Sequence, residues 1–159
     1  MSKIACFIGH RKIVETKELT EQLYKIIEKL ITNEKVETFL FGSKSAFNSL
    51  CYEQVSDLKE KYPFIKRIFV RAEYPVINNS YIEYLHKYYE DTYYPSSVMG
   101  AGKAAYIKRN YEMIDKSNFC VFYFNEDCLP KGRKSGTKIV LDYAVRKRKN
   151  VFILPIHLK

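Results

Sequence analysis

Tryptophan is absent from the chain, and so is every spacing that would make its cysteines a metal or redox centre. The four cysteines, Cys6, Cys51, Cys120 and Cys128, form no Cys-x-x-Cys pair and no Cys/His cluster with zinc spacing. They are expected to be buried thiols acting as small hydrophobes, with Cys6 and Cys120 inside strands. No metal and no cofactor is expected. No apolar run approaches the roughly 20 residues that span a bilayer as a helix. Met1-Ser2-Lys3 leads straight into a strand pattern, without the basic, apolar and small-residue order of a signal peptide. A cytoplasmic protein is expected, with no membrane partner. Acidic residues are in deficit: 18 against 27 Lys and Arg, a net charge of +9. That balance favours anionic partners, whether phosphates, nucleotides or nucleic acid. Both standard nucleotide fingerprints are also missing. Gly132-Arg133-Lys134-Ser135-Gly136-Thr137 lacks the Walker spacing, and no Gly-x-Gly-x-x-Gly occurs, which disfavours an NAD-type dinucleotide.

What is present suits a single globular unit. The 159 residues are 47% hydrophobic, enough for one proper core. There is no internal repeat, low-complexity tract or convincing linker, so residues 1–159 are read as one domain. Fourteen tyrosines stand against the missing tryptophan. Seven of them (Tyr74, Tyr81, Tyr84, Tyr88, Tyr89, Tyr93 and Tyr94) crowd an irregular segment over residues 73–102.

Strand and helix patterns alternate along the chain. Lys3 to Ile8 reads as a first strand, and a helix is predicted from about Glu15 to Ile31, where Leu19, Leu23, Ile26, Ile27 and Leu30 recur at helical spacing. Asn33 ends it. Glu37 to Phe41 is a second strand. The next helix carries Phe47, Leu50, Cys51, Val55 and Leu58 on one face and closes at Tyr62-Pro63. Ile65 to Val70 is a third strand. A short helix is predicted over Asn79 to Glu90, capped by Asn78, Asn79 or Ser80. Ala104 to Asp115 is a further helix, and Phe119 to Phe124 has the unbroken apolar run of a central parallel strand. A helix opening near Ser135-Gly136-Thr137 and ending near Lys149-Asn150 precedes a last strand, Val151 to Leu154. This alternation implies βαβ units, hence an α/β, Rossmann-like three-layer fold. Right-handed crossovers restrict the order of the five main strands, and 3-2-1-4-5 is expected.

Three strand ends carry polar chemistry, and in a parallel sheet they point the same way. They are Gly9-His10-Arg11, Phe41-Gly42-Ser43, and the Ser135-Gly136-Thr137 helix start that follows the Phe119 strand. Glycine lets backbone N–H groups approach a ligand. A helix N-terminus adds orphan donors and the positive end of the dipole, so the group reads as a phosphate cradle. Arg11 suits bidentate phosphate binding. His10 suits a ligand hydrogen bond or a helix cap better than catalysis, since no orienting partner is evident. Arg109-Asn110 is either a solvated helix face or a ligand contact. Tyr81, Tyr84 and Tyr88 have the spacing of a packing face. Such tyrosines also suit an oligomer interface or a base-stacking wall. Arg146-Lys147-Arg148-Lys149 is a basic run, but cations favour a helix C-terminus in any case.

Taken together, Gly9 to Arg11, Phe41 to Phe47, Arg109 to Ser117 and Ser135 to Ala144 resemble the YpsA-like branch of the SLOG superfamily over nearly the whole chain. The superfamily also includes LOG phosphoribohydrolases, the DNA-processing protein DprA, and sensor domains of bacterial antiphage defence. The resemblance implies a nucleotide-derived signal, ADP-ribose-like or a cyclic nucleotide, bound by Gly9, Arg11, Gly42, Ser43, Arg109, Ser135, Gly136 and Thr137, and His10, Phe47 and Asn110 are expected as further ligand contacts. It also implies self-association into a homo-oligomer. One departure bears on catalysis. The hydrolases carry Gly-Gly where this chain has Lys134-Ser135, and a glutamate where it has Val140. Cleaving an N-glycosidic bond needs a carboxylate. Only Glu126, Asp127 and Asp142 lie near in sequence, and none is at the motif position. Binding without turnover is therefore expected, as a sensor or sequestering protein. The alternatives are an N-glycoside hydrolase using Glu126 or Asp127, and DprA-like nucleic-acid binding.

Overall fold

The computed structural model describes residues 2–128 and 135–156, with the side chain of Cys128 excepted. Residues 131–134 of the expected phosphate loop therefore lie outside the described residues. In chain order the elements are β1 (Lys3–Gly9), α1 (Lys17–Thr32), β2 (Val36–Phe41), α2 (Ala46–Lys61), β3 (Lys66–Val70), α3 (Asn79–Tyr88), β4 (Asp91–Tyr93), α4 (Ala105–Lys116), β5 (Phe119–Tyr123), α5 (Gly136–Arg146) and β6 (Asn150–Leu154). The sheet order is β4-β3-β2-β1-β5-β6, and every pair is parallel. The five expected strands keep the order 3-2-1-4-5. The correction is a sixth strand, β4, added outside β3.

Sequence pattern misses β4 because three polar residues show no period. Its pairing is tertiary: the Arg71 N–H donates to the Tyr93 carbonyl at 2.8 Å, and the Glu90 N–H to that of Arg67 at 2.9 Å. The same pairing stops α3 at Tyr88, two residues short of expectation, because Tyr89 is already extended at φ −130° and ψ 146°. Hydroxyl caps set the starts of α1, α2 and α5. The hydroxyls of Thr16, Ser45 and Ser135 accept the N–H of Leu19, Asn48 and Lys138. At the far end of α5, Arg148 takes a left-handed φ of 58°. The helix therefore stops at Arg146, before the expected Lys149.

Alternation along the strands builds two cores, one on each face of the sheet. On one face Phe7, Phe39, Phe41, Val121 and Tyr123 meet α1 and α2 through Leu19, Leu23, Phe47 and Val55. On the other, Ile8, Leu40 and Phe122 meet α4 and α5 through Met113, Ile114, Val140 and Leu141. Both cysteines expected in strands are fully buried on that second face, Cys6 beside Cys120 in register. Cys51 is buried on the first, and burial raises its thiol pKa well above the ordinary value.

The tyrosine-rich helix departs from a packing role. Only Leu85 of α3 is buried. Tyr84 and Tyr88 are exposed, and their rings continue a row: Tyr74 to Tyr81 at 6.4 Å, Tyr81 to Tyr84 at 6.1 Å, Tyr84 to Tyr88 at 5.1 Å. A ten-residue helix over a three-residue edge strand has little interior to face, so the tyrosines stack on one another instead. Tyr89 turns inward, against Phe41, Tyr52 and Phe69, and Tyr93 packs against the second core.

Candidate functional site

A cleft of about 1060 Å³ opens at the carboxyl ends of the strands. It spans β3, β2, β1 and the start of α5, and so includes the switch point between β1 and β5, where ligands of such sheets lie. All three expected strand ends meet there. Gly9, His10, Arg11, Gly42, Ser43, Arg109, Asn110, Ser135, Gly136, Thr137 and Asp127 line it. Phe47 does not: it is wholly buried beneath Gly9, and a Cβ on Gly9 would fall 2.5 Å from its ring. The Gly9 position is thus glycine to admit Phe47. Glu126 is exposed and outside the lining.

His10 is buried and carries two hydrogen bonds that fix its tautomer. The Asn125 N–H donates to Nε2 at 3.0 Å, so Nε2 bears no proton. The proton of the neutral ring then sits on Nδ1, which donates to the Thr137 hydroxyl at 3.1 Å. Burial lowers the His10 pKa, in keeping with the neutral ring that the Asn125 N–H requires at Nε2. Both nitrogens are spent. His10 is a clamp between the ends of β1 and β5 and the first turn of α5, and it holds Thr137 in place.

Arg109 is also committed. It is 4% exposed, and its guanidinium donates to the Gly42 carbonyl and, through Nε, to Asn110 Oδ1 at 3.0 Å. The Tyr106 ring covers it at 5.5 Å. Burial brings its pKa down to about 10, which leaves it charged at neutral pH. A Cβ on Gly42 would strike Met113 Sδ and Arg109 Cδ at 2.6 and 2.7 Å, so this glycine makes room for the arginine. The Ser43 hydroxyl is engaged with that of Ser45, the cap of α2.

Arg11 differs from these. Its carbonyl accepts the Ala46 N–H at 2.9 Å, which anchors the backbone, while its side chain is exposed and has no carboxylate partner among the described residues. Gly136 differs as well. A Cβ there would meet no described atom within 4 Å. Ser135 serves only Lys138 N–H and Ile139 N–H, which leaves the N–H groups of Gly136 and Thr137 free among the described residues.

Sequence reading missed several members of the wall. Among the described residues, Lys12, Lys44 and Arg71 bring the lining to five cationic side chains with Arg11 and Arg109, against two carboxylates, Glu73 and Asp127. Asn48 was missed too, though it ties two strand ends together. Its Oδ1 accepts the Gly42 N–H and its Nδ2 donates to the Phe7 carbonyl, each at 3.3 Å. A polar residue on the otherwise apolar face of the α2 pattern was the available signal. Tyr106 and Glu73 form a strap at the cleft edge, hydroxyl to carboxylate at 2.9 Å. Val140, at the position of the hydrolases' glutamate, is fully buried in the second core. Asp142 pairs with Lys138 at 3.0 Å, outside the cleft lining. Arg146 to Lys149 follow α5 to the amino ends of the strands, the edge opposite the cleft. Compared with protein-family models and with curated proteins, the chain matches none.

Proposed function

We propose that this cleft binds the phosphate-bearing part of a nucleotide-derived ligand and holds it without turnover, in a SLOG-like protein of the YpsA branch. The observation that carries the reading is that one cleft is lined by an exposed Arg11 with no carboxylate partner and by Gly136 and Thr137, whose N–H groups have no acceptor, among the described residues. Anchored donors and a positive helix end suit an oxyanion. The cationic excess of the lining has the same sign. Absence of turnover is supported by the fate of the acids: the hydrolase position is the core residue Val140, and Glu73 already accepts from Tyr106.

Calorimetry with AMP, ADP and ADP-ribose tests the proposal. At least one binds, and Arg11→Ala abolishes that binding with the melting temperature unchanged. Unaltered affinity in Arg11→Ala refutes it. Asp127, a carboxylate within the cleft, favours a second reading as an N-glycoside hydrolase. Release of free base from the same nucleotides, seen by chromatography, decides for it.

A further inference from the structure

We infer that the β3 end of the cleft is a second anion subsite, built on Arg71, and that the ligand carries an anionic group at each end. The inference rests on the first reading of the cleft as an oxyanion site and extends it to the ligand's length and charge.

Arg71 directly follows β3 and is partly buried in the cleft wall. Its backbone is fixed, because its N–H donates to the Tyr93 carbonyl across the β3–β4 pair. Its side chain is barely used. Nη1 donates to the Tyr74 carbonyl at 2.8 Å, while Nε is buried and has no partner among the described residues. Among the described residues no carboxylate lies within ion-pair distance of it. The nearest acid in sequence, Glu73, takes the Tyr106 hydroxyl instead. A guanidinium is charged at every physiological pH, and a buried N–H without an acceptor is costly. A small rotation of the side chain that turns the Nε–Nη2 edge to the cleft would let an oxyanion remove both deficits in the bidentate geometry that arginine favours. Arg109 is the contrast: just as close to the cleft, it spends its donors on Gly42 and Asn110.

Topology sets the distance between the two subsites. Thr137 is hydrogen-bonded to His10, which directly follows β1, and Arg71 directly follows β3, with β2 between them. Two inter-strand steps of about 4.8 Å place the ends of β1 and β3 roughly 10 Å apart. One phosphate cannot serve both. A ligand that reaches across must be extended, with a sugar- or nucleoside-sized body between its anionic groups.

The test is a titration of the full chain with inorganic phosphate, followed by the arginine Nε–H resonances. Saturable shifts of the Arg71 Nε–H and, independently, of the Gly136 amide are expected. Arg71→Met should weaken phosphate binding at its own end by roughly ten- to hundredfold and leave the Gly136 titration unchanged. Arg71→Lys keeps the charge but not the fork, and should recover only part of the loss. An Arg71 resonance that stays still while Gly136 titrates overturns the second subsite and leaves the first intact. If neither moves, both readings fail.

Discussion

Gly136→Ala should stabilise the protein and damage its binding site in one step. The glycine is the first residue of α5, exposed, and has no described atom within 4 Å of where a Cβ would stand. Its φ is not in the left-handed region, so alanine brings no strain. Removing a glycine's freedom from the unfolded chain at such a position is worth about 0.4–1 kcal/mol. For a chain of this size that raises the melting temperature by roughly 1–4 °C. The new methyl would stand beside the N–H groups of Gly136 and Thr137, which have no acceptor among the described residues and which the proposed phosphate would use. Loss of even one charge-assisted hydrogen bond weakens binding by about tenfold or more. Gly9→Ala supplies the opposite sign. Its Cβ would overlap the buried Phe47 ring, and overpacking of this kind costs about 1–3 kcal/mol. Thermal melts and calorimetry against the tightest nucleotide of the panel measure both quantities. If Gly136→Ala melts lower than wild type, or stabilises the fold with affinity unchanged, Gly136 is not a wall of a binding site and the argument fails.

Two further outcomes follow from the cleft wall. Asn48→Ala removes a buried side chain that serves Gly42 N–H and the Phe7 carbonyl, and should cost about 1–3 kcal/mol in denaturant unfolding; a loss below about 0.5 kcal/mol would show the strand ends hold without it. His10 sets a pH dependence. Burial lowers its pKa in the folded state, so the unfolded chain takes up the proton first as pH falls. The His10 contribution is therefore complete above about pH 6.5 and is lost progressively as pH drops from there through the folded pKa. The wild-type stability slope over that window should be steeper than that of His10→Gln, and equal slopes would contradict the neutral clamp.

Much of the architecture was legible in the chain. The β5 run from Phe119 to Tyr123 is apolar throughout because both faces of a central parallel strand are covered, and continuous burial needs no partner to be recognised. The β4 edge strand was not legible. Asp91–Tyr93 has no apolar pattern, and only the hydrogen bonds to β3 make it a strand. Likewise the spacing of Tyr81, Tyr84 and Tyr88 describes a helix face correctly but not what lies opposite it.

By itself the sequence determined which residues reach the carboxyl edge. Gly9, Gly42 and Gly136 end or begin elements whose type follows from local periodicity and capping. Tertiary structure alone decided what each does there. Gly9 admits Phe47, Gly42 admits Arg109, and a Cβ on Gly136 would meet no described atom within 4 Å. The same division holds for the charged and titratable residues. His10, Arg11, Arg71 and Arg109 look alike as polar residues near strand ends. Burial and hydrogen-bond partners, which come from elements distant in the chain, spend His10 and Arg109 on the wall and leave Arg11 and most of Arg71 unspent. Local sequence sets where a side chain is attached; the packing of distant elements sets whether its donors are still available.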